Sequence, residues 1–139
     1  MTDSASAAVQ VEALDHVVLD VADPARSIGW YRDRLGLEPL RVAEFERGEV
    51  FFPSVRVDAH TIIDLLPVGR PVDGSAPDRA VDHVCLVVAP GTDLAAVAAS
   101  GAFEVVDGPD RRWGARGDAT SLYVLDPDRH VIELRAYDA

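Results

Sequence analysis

Two histidines and two carboxylates stand at matching places in a duplicated pattern. Leu14-Asp15-His16-Val17-Val18-Leu19-Asp20-Val21 is answered by Val81-Asp82-His83-Val84-Cys85-Leu86-Val87-Val88, and Ile63-Asp64-Leu65 by Ile132-Glu133-Leu134. His16 and His83 are 67 positions apart, Asp64 and Glu133 69. Two independent landmarks thus share nearly one offset, which marks an internal repeat. Imidazole and carboxylate donors together suit a borderline divalent ion such as Zn, Ni, Co, Mn or Fe(II). Singly, neither residue type demands a metal: a strand histidine is commonly just satisfied or exposed, and a carboxylate in an apolar strand can be paired by an arginine. Recurrence of both at matching positions favours the ligand reading for His16, His83 and Glu133. Asp64, one methylene shorter than glutamate, is the weakest of the four.

The elements that must carry these groups follow from periodicity. Residues 14–21 and 81–88 read as strands, so His16, Val18 and Asp20 share one face and Val17, Leu19 and Val21 the other. The second face packs under a helix, which turns His16 away from it, and His83 likewise. Asp23-Pro24 reads as an N-cap followed by a first-turn proline, and Gly36 as the residue after a helix over 25–35. Strands are expected over 39–45, 50–57 and 61–66. Residues 67–79 hold three prolines and two glycines and read as a linker. The order then restarts, with an alanine-rich helix over 93–100 and strands over 103–106, 120–125 and 131–136. The stretch 108–118, rich in glycine and arginine, reads as a loop. The fold class is therefore α+β: a tail over 1–12, a first βαβββ module over 13–66, the linker, and a second βαβββ module over 80–139.

Composition narrows the function. The 139 residues carry a net charge of −11, the reverse of the basic face that nucleic acid requires. No apolar run approaches the ~18 residues of a membrane-spanning helix. All 13 basic residues are arginines, so Schiff-base and lysine general-base chemistry is excluded. The one cysteine, Cys85, lies in an apolar run and reads as a buried structural thiol. With no basic n-region or apolar h-region at the N-terminus, a cytoplasmic protein is expected.

The ordered pieces resemble the vicinal oxygen chelate superfamily, which includes glyoxalase I, fosfomycin- and bleomycin-resistance proteins and extradiol dioxygenases. Besides the two Asp-His strands, they are Trp30-Tyr31-Arg32-Asp33-Arg34-Leu35-Gly36-Leu37, Gly108-Pro109, Arg112-Trp113-Gly114-Ala115-Arg116-Gly117, and Asp126-Pro127-Asp128 before Val131-Ile132-Glu133-Leu134. The resemblance covers roughly residues 14–137. It implies two tandem βαβββ modules curled into an open, cup-like barrel, with His16, Asp64, His83 and Glu133 as metal positions and one divalent ion per site. It further implies Lewis-acid chemistry on a small substrate with vicinal oxygens, with Glu133 as the carboxylate that doubles as general base. The reaction would be that of a lyase, an isomerase or a dioxygenase; a fourth ligand at Asp64 tilts it toward redox-neutral chemistry. The competing reading is a non-catalytic, drug-binding resistance protein using the same cavity without metal.

Substrate contacts are expected from Arg112 and Trp113, through a bidentate guanidinium grip on an anionic group, although a solvated loop explains the same residues. His60 would line the cavity if it continues the strand of Asp64. Arg129-His130 stands where the family usually has Gly-Asn, so that turn is expected to differ, and His130 to be exposed. Finally, the resemblance and the open sheet edges imply a homodimer whose sites draw His16 and Asp64 from one chain and His83 and Glu133 from the other.

Overall fold

The computed structural model describes residues 7–139, and the expected tail therefore lies partly outside the described residues. Strand β1 (His16–Val21) leads through helix α1 (Pro24–Leu35) to β2 (Glu38–Leu40), a short helix α2 (Val42–Glu46), β3 (Ser54–Arg56) and β4 (Ile62–Pro67). The second half runs β5 (Val84–Val87), α3 (Leu94–Ala99), β6 (Glu104–Gly114), β7 (Gly117–Leu125) and β8 (Val131–Ala136). Each half forms one four-stranded sheet, in the orders β1-β4-β3-β2 and β5-β8-β7-β6. The sheets do not close, as expected of two tandem βαβββ modules forming an open cup.

The repeat extends to register. The first and last strands of each module pair in parallel, with Val17 opposite Ile63 in one and Val84 opposite Ile132 in the other. Val18 is consequently the neighbour of Asp64, and Cys85 of Glu133. Alternation along β1 buries Leu19 and Val21 with Ile28 and Tyr31 of α1, leaving His16 and Val18 on the open face. Helix α1 begins as its sequence requires, with the Asp23 carboxylate accepting from Arg26 N–H, and ends with Gly36 at φ 69°. Its Trp30 and Leu35 pack against both module cores, so one helix serves two sheets.

Three expectations about strands are corrected. The strand expected over 39–45 stops at Leu40, and Val42–Glu46 is helical. Only Ser54–Arg56 of 50–57 is paired. The largest departure is β6, an eleven-residue strand that includes the stretch read as a loop. Its ladder with β7 absorbs Gly108-Pro109 through register shifts between Val105 and Asp107 and between Asp107 and Asp110. Bulges let a strand continue past residues that a regular ladder rejects, so the local composition misled.

The turn after β7 grips α1. Asp128, 1% exposed, accepts from Ala22 N–H (3.0 Å), Arg26 Nη2 (3.1 Å) and Ser27 Oγ (3.3 Å). Asp126 accepts from Tyr31 Oη (2.7 Å). Arg129 adopts φ 65° where glycine would be unstrained, so the turn is left-handed at this residue at a cost of about 1 kcal/mol. His130, expected on the surface, is half-buried and donates from Nε2 to the Asp20 carbonyl (2.7 Å). Asp128→Ala removes three hydrogen bonds at about 1 kcal/mol each. We expect urea unfolding to give a stability loss of about 2–3 kcal/mol. A loss below about 1 kcal/mol would contradict the clamp.

Candidate metal centre

Each histidine is oriented by the residue before it. His16 Nδ1 lies 2.7 Å from Asp15 Oδ2, and His83 Nδ1 lies 2.7 Å from Asp82 Oδ2. An ionised carboxylate only accepts, so Nδ1 donates to it in both rings, which leaves Nε2 as the atom that would ligate an ion, the arrangement that orients metal-ligating imidazoles. The signal was in the sequence as the duplicated Asp-His dipeptide. Asp15 precedes β1 and lies outside its alternation, and its carboxylate meets the ring of the next residue.

The carboxylates are held by their neighbouring strands. Asp64, 5% exposed in β4, accepts at Oδ1 from Ser54 Oγ (2.6 Å), and its Oδ2 lies 3.8 Å from His16 Nε2. Glu133, 5% exposed in β8, accepts at Oε2 from Ser121 Oγ (2.6 Å), and its Oε1 lies 3.0 Å from His83 Nε2. The design is the same twice: one carboxylate oxygen saturated by serine, the other turned toward an Nε2. Ser54 and Ser121 escaped the sequence reading because nothing local distinguishes them. Ser54 becomes visible only through its register opposite Asp64.

Local electrostatics differ between the pairs. Burial opposes ionisation of Glu133, but hydrogen bonds from Ser121 and Tyr123 and the nearby His83 outweigh it and hold the carboxyl below its ordinary range. His16 is raised above the usual imidazole value, foremost by the Asp15 hydrogen bond, against burial and with help from Asp64. Tyr123 stacks edge-on to His83 at 5.4 Å between ring centroids. Burial and then Glu133 push its hydroxyl up, opposed by Arg112, which places Arg112 at the edge of this half-site.

The remaining predicted residues divide. Arg112 sits in β6 opposite Ala119 and pairs with Asp107 (3.4 Å) and Asp110 (3.5 Å). Trp113, next to it, is 81% exposed. His60 does not continue β4: it is exposed in the turn between β3 and β4, its N–H donating to Asp58 Oδ1 (2.8 Å). A cavity of about 430 Å³ opens over the second half-site, lined by His83, Tyr123, Val106, Leu125 and Val131 with Arg79 and Arg129 among the polar groups.

Cys85 corrects another expectation. It points to the open face beside Glu133 rather than into the core. Its thiol is pushed up to about 12 by desolvation against the sheet and by the Glu133 charge. At pH 8 the thiolate is depleted about a thousandfold relative to an ordinary thiol, offset about twentyfold by greater nucleophilicity. Iodoacetamide should therefore label Cys85 of the metal-free folded protein about 50-fold more slowly than the urea-unfolded chain. Equal rates would contradict this environment.

The two pairs do not meet within one chain. Among the described residues, no three His, Cys, Asp or Glu side chains gather into a single metal-holding group. Each half supplies two donors whose types and orientation suit a divalent ion, and a four-donor set needs both halves.

Comparison with known proteins gives a consistent picture. The family model for the Glyoxalase/Bleomycin resistance protein/Dioxygenase superfamily matches residues 13–134. Virulence protein STM3117 of Salmonella typhimurium is 28% identical over 130 residues, covering 91% of this chain and 85% of that protein. The glyoxalase domain-containing protein RDO1 of Mycosarcoma maydis is 31% identical over 134 residues, covering 93% of this chain and 70% of its own. A crystal structure of a glyoxalase/dioxygenase from Nostoc punctiforme superposes with a TM-score of 0.76 at 20% identity, covering all of both chains. Among the described residues, no helix is long and apolar enough to cross a membrane.

Proposed function

Since the chain belongs to the Glyoxalase/Bleomycin resistance protein/Dioxygenase superfamily, we propose that it is a divalent-metal-dependent enzyme acting on a small substrate with vicinal oxygens. The observation that carries this reading is the duplicated half-site, an Asp-oriented imidazole Nε2 facing a serine-anchored carboxylate, built twice from matching registers. His16, Asp64, His83 and Glu133 would hold the ion, whose identity among Zn, Ni, Co, Mn and Fe(II) depends on supply in the cell. When bound, it would supply Lewis-acid stabilisation of negative charge developing on a substrate oxygen.

The chain's own residues do the rest. Asp15 and Asp82 keep both Nε2 atoms aimed at the site. Glu133, held below the usual carboxyl range and with Oε1 turned inward, is ionised at neutral pH and would accept a substrate proton at Oε1 once that oxygen has left the ion. Arg112, beside Tyr123 but outside the cavity lining, would bind an anionic group of the substrate and the exposed Trp113 would pack on it, while the valines and Leu125 of the cavity exclude water. Four ligands favour redox-neutral lyase or isomerase chemistry over dioxygen activation. Because the two pairs lie apart in one chain, the complete site forms in a homodimer, His16 and Asp64 of each chain facing the partner's second module. Exposed Val18 (47%) and Val87 (53%) beside the half-sites give the partner an apolar face to cover. The protein acts in the cytoplasm, where a lone thiol stays reduced.

Protein purified without chelator should retain one divalent ion per site, and activity on vicinal-oxygen substrates should vanish with chelator and return with added ion. Substoichiometric metal of every kind, with stability unchanged by chelator, would support the metal-free drug-binding protein instead.

A further inference from the structure

Arg135 is the most buried cation of the chain's second half and has no assigned role. It is 2% exposed in β8, two residues after Glu133 and on the same face. Nη1 donates to Ser121 Oγ (3.1 Å) and lies 3.4 Å from Glu133 Oε2. Nη2 donates to the Arg112 carbonyl (2.7 Å) and to the Gly117 carbonyl, across the β6–β7 hairpin. The Nε atom is buried without a partner, and the guanidinium lies 4.9 Å from the Tyr137 ring centroid. Gly114 makes room for it: a Cβ there would sit 2.5 Å from Arg135 Cζ.

A buried guanidinium carries a large desolvation cost unless charge and hydrogen bonds compensate it. Among the described residues, the only carboxylate paired with it is Glu133, and the compensation has a geometric result. With Ser121 and Arg135 both on Oε2, Glu133 cannot turn that oxygen toward the site, so Oε1 alone faces His83 Nε2. The first module lacks the device: the position two after Asp64 is Leu66, and Asp64 has only Ser54 on Oδ1.

We infer that Arg135 is a positioning residue that fixes Glu133 as a single-oxygen ligand and ties it to the hairpin carrying Arg112 and Trp113. The inference rests on the metal reading proposed above, and it makes the two half-sites unequal, one carboxylate pinned and the other looser.

The test is titration of the metal-free full-length protein with Mn²⁺, well below its melting temperature, alongside a melting curve for each variant. Loss of an outer contact of this kind weakens metal binding about 10–100-fold. Arg135→Met should weaken Mn²⁺ binding within that range. Gly114→Ala, which displaces the guanidinium while keeping its charge, should weaken it about tenfold, and decides the matter should Arg135→Met fail to fold. Val124→Ala, a core truncation away from the pair, should lower the melting temperature and leave Mn²⁺ affinity unchanged. Affinity within threefold of the parent protein in Gly114→Ala, or affinity falling in Val124→Ala in step with its melting temperature, overturns the role of Arg135. A parent protein that binds no Mn²⁺, Zn²⁺, Ni²⁺ or Co²⁺ overturns the metal reading itself.

Discussion

His83→Ala should weaken divalent-metal binding about a hundredfold. A structural four-ligand site is worth about 10–16 kcal/mol, or about 3 kcal/mol for each ligand, and 1.4 kcal/mol is a factor of ten. The loss should fall on affinity and leave the fold intact, because His83 is partly exposed, edge-on to Tyr123 at the sheet's open face, and belongs to neither buried core. Asp82→Ala should cost about tenfold by the same titration, since it removes the acceptor that fixes the imidazole tautomer without removing the ligand. That ranking separates a metal ligand from a surface histidine paired with acids. If His83→Ala changes Mn²⁺ or Zn²⁺ affinity by less than threefold, His83 does not ligate.

Complementation between two inactive variants should restore function. His16→Ala damages the first half-site of its chain, and Glu133→Ala the second. In a homodimer whose sites each join the first half of one chain to the second half of the other, a heterodimer of these variants places both lesions in one site. Its other site is intact. Mixed, unfolded and refolded chains in equal amounts form about half heterodimers by random pairing, each with one of two sites. Metal binding and activity should thus return to about a quarter of the parent level. Recovery of neither, with heterodimers present, would place each site within a single chain.

Much of this architecture could be read from residue types. The twice-used strand pattern, the Asp23-Pro24 start and Gly36 stop of α1, and the tripeptides around Asp64 and Glu133 gave the order of elements and the half-sites, because each rests on local periodicity or capping. What stayed hidden depends on neighbours distant in sequence. Ser121 and Arg135 gain their meaning from the β7–β8 ladder, where Ser121 is register partner to Arg135 and Tyr123 to Glu133. Strand β6 was masked by a Gly-Pro pair that its bulges absorb. His60 was misplaced because one residue decides whether a strand begins before or after a turn, and the Asp58 side chain closes that turn on the His60 N–H. Cys85 was read as core because an apolar run does not say which of its two faces is buried. Register answered that, setting it beside Glu133 on the open face.

The most direct measurement is a crystal structure of the protein grown with Mn²⁺, with the ion located by its anomalous scattering. The account predicts one peak per site at ligand distance from His16 Nε2 and Asp64 of one subunit and from Nε2 of the partner subunit's His83 and Oε1 of the partner subunit's Glu133. A peak ligated by residues of one chain would contradict the shared site. A peak elsewhere, with both pairs empty, would contradict the metal centre altogether.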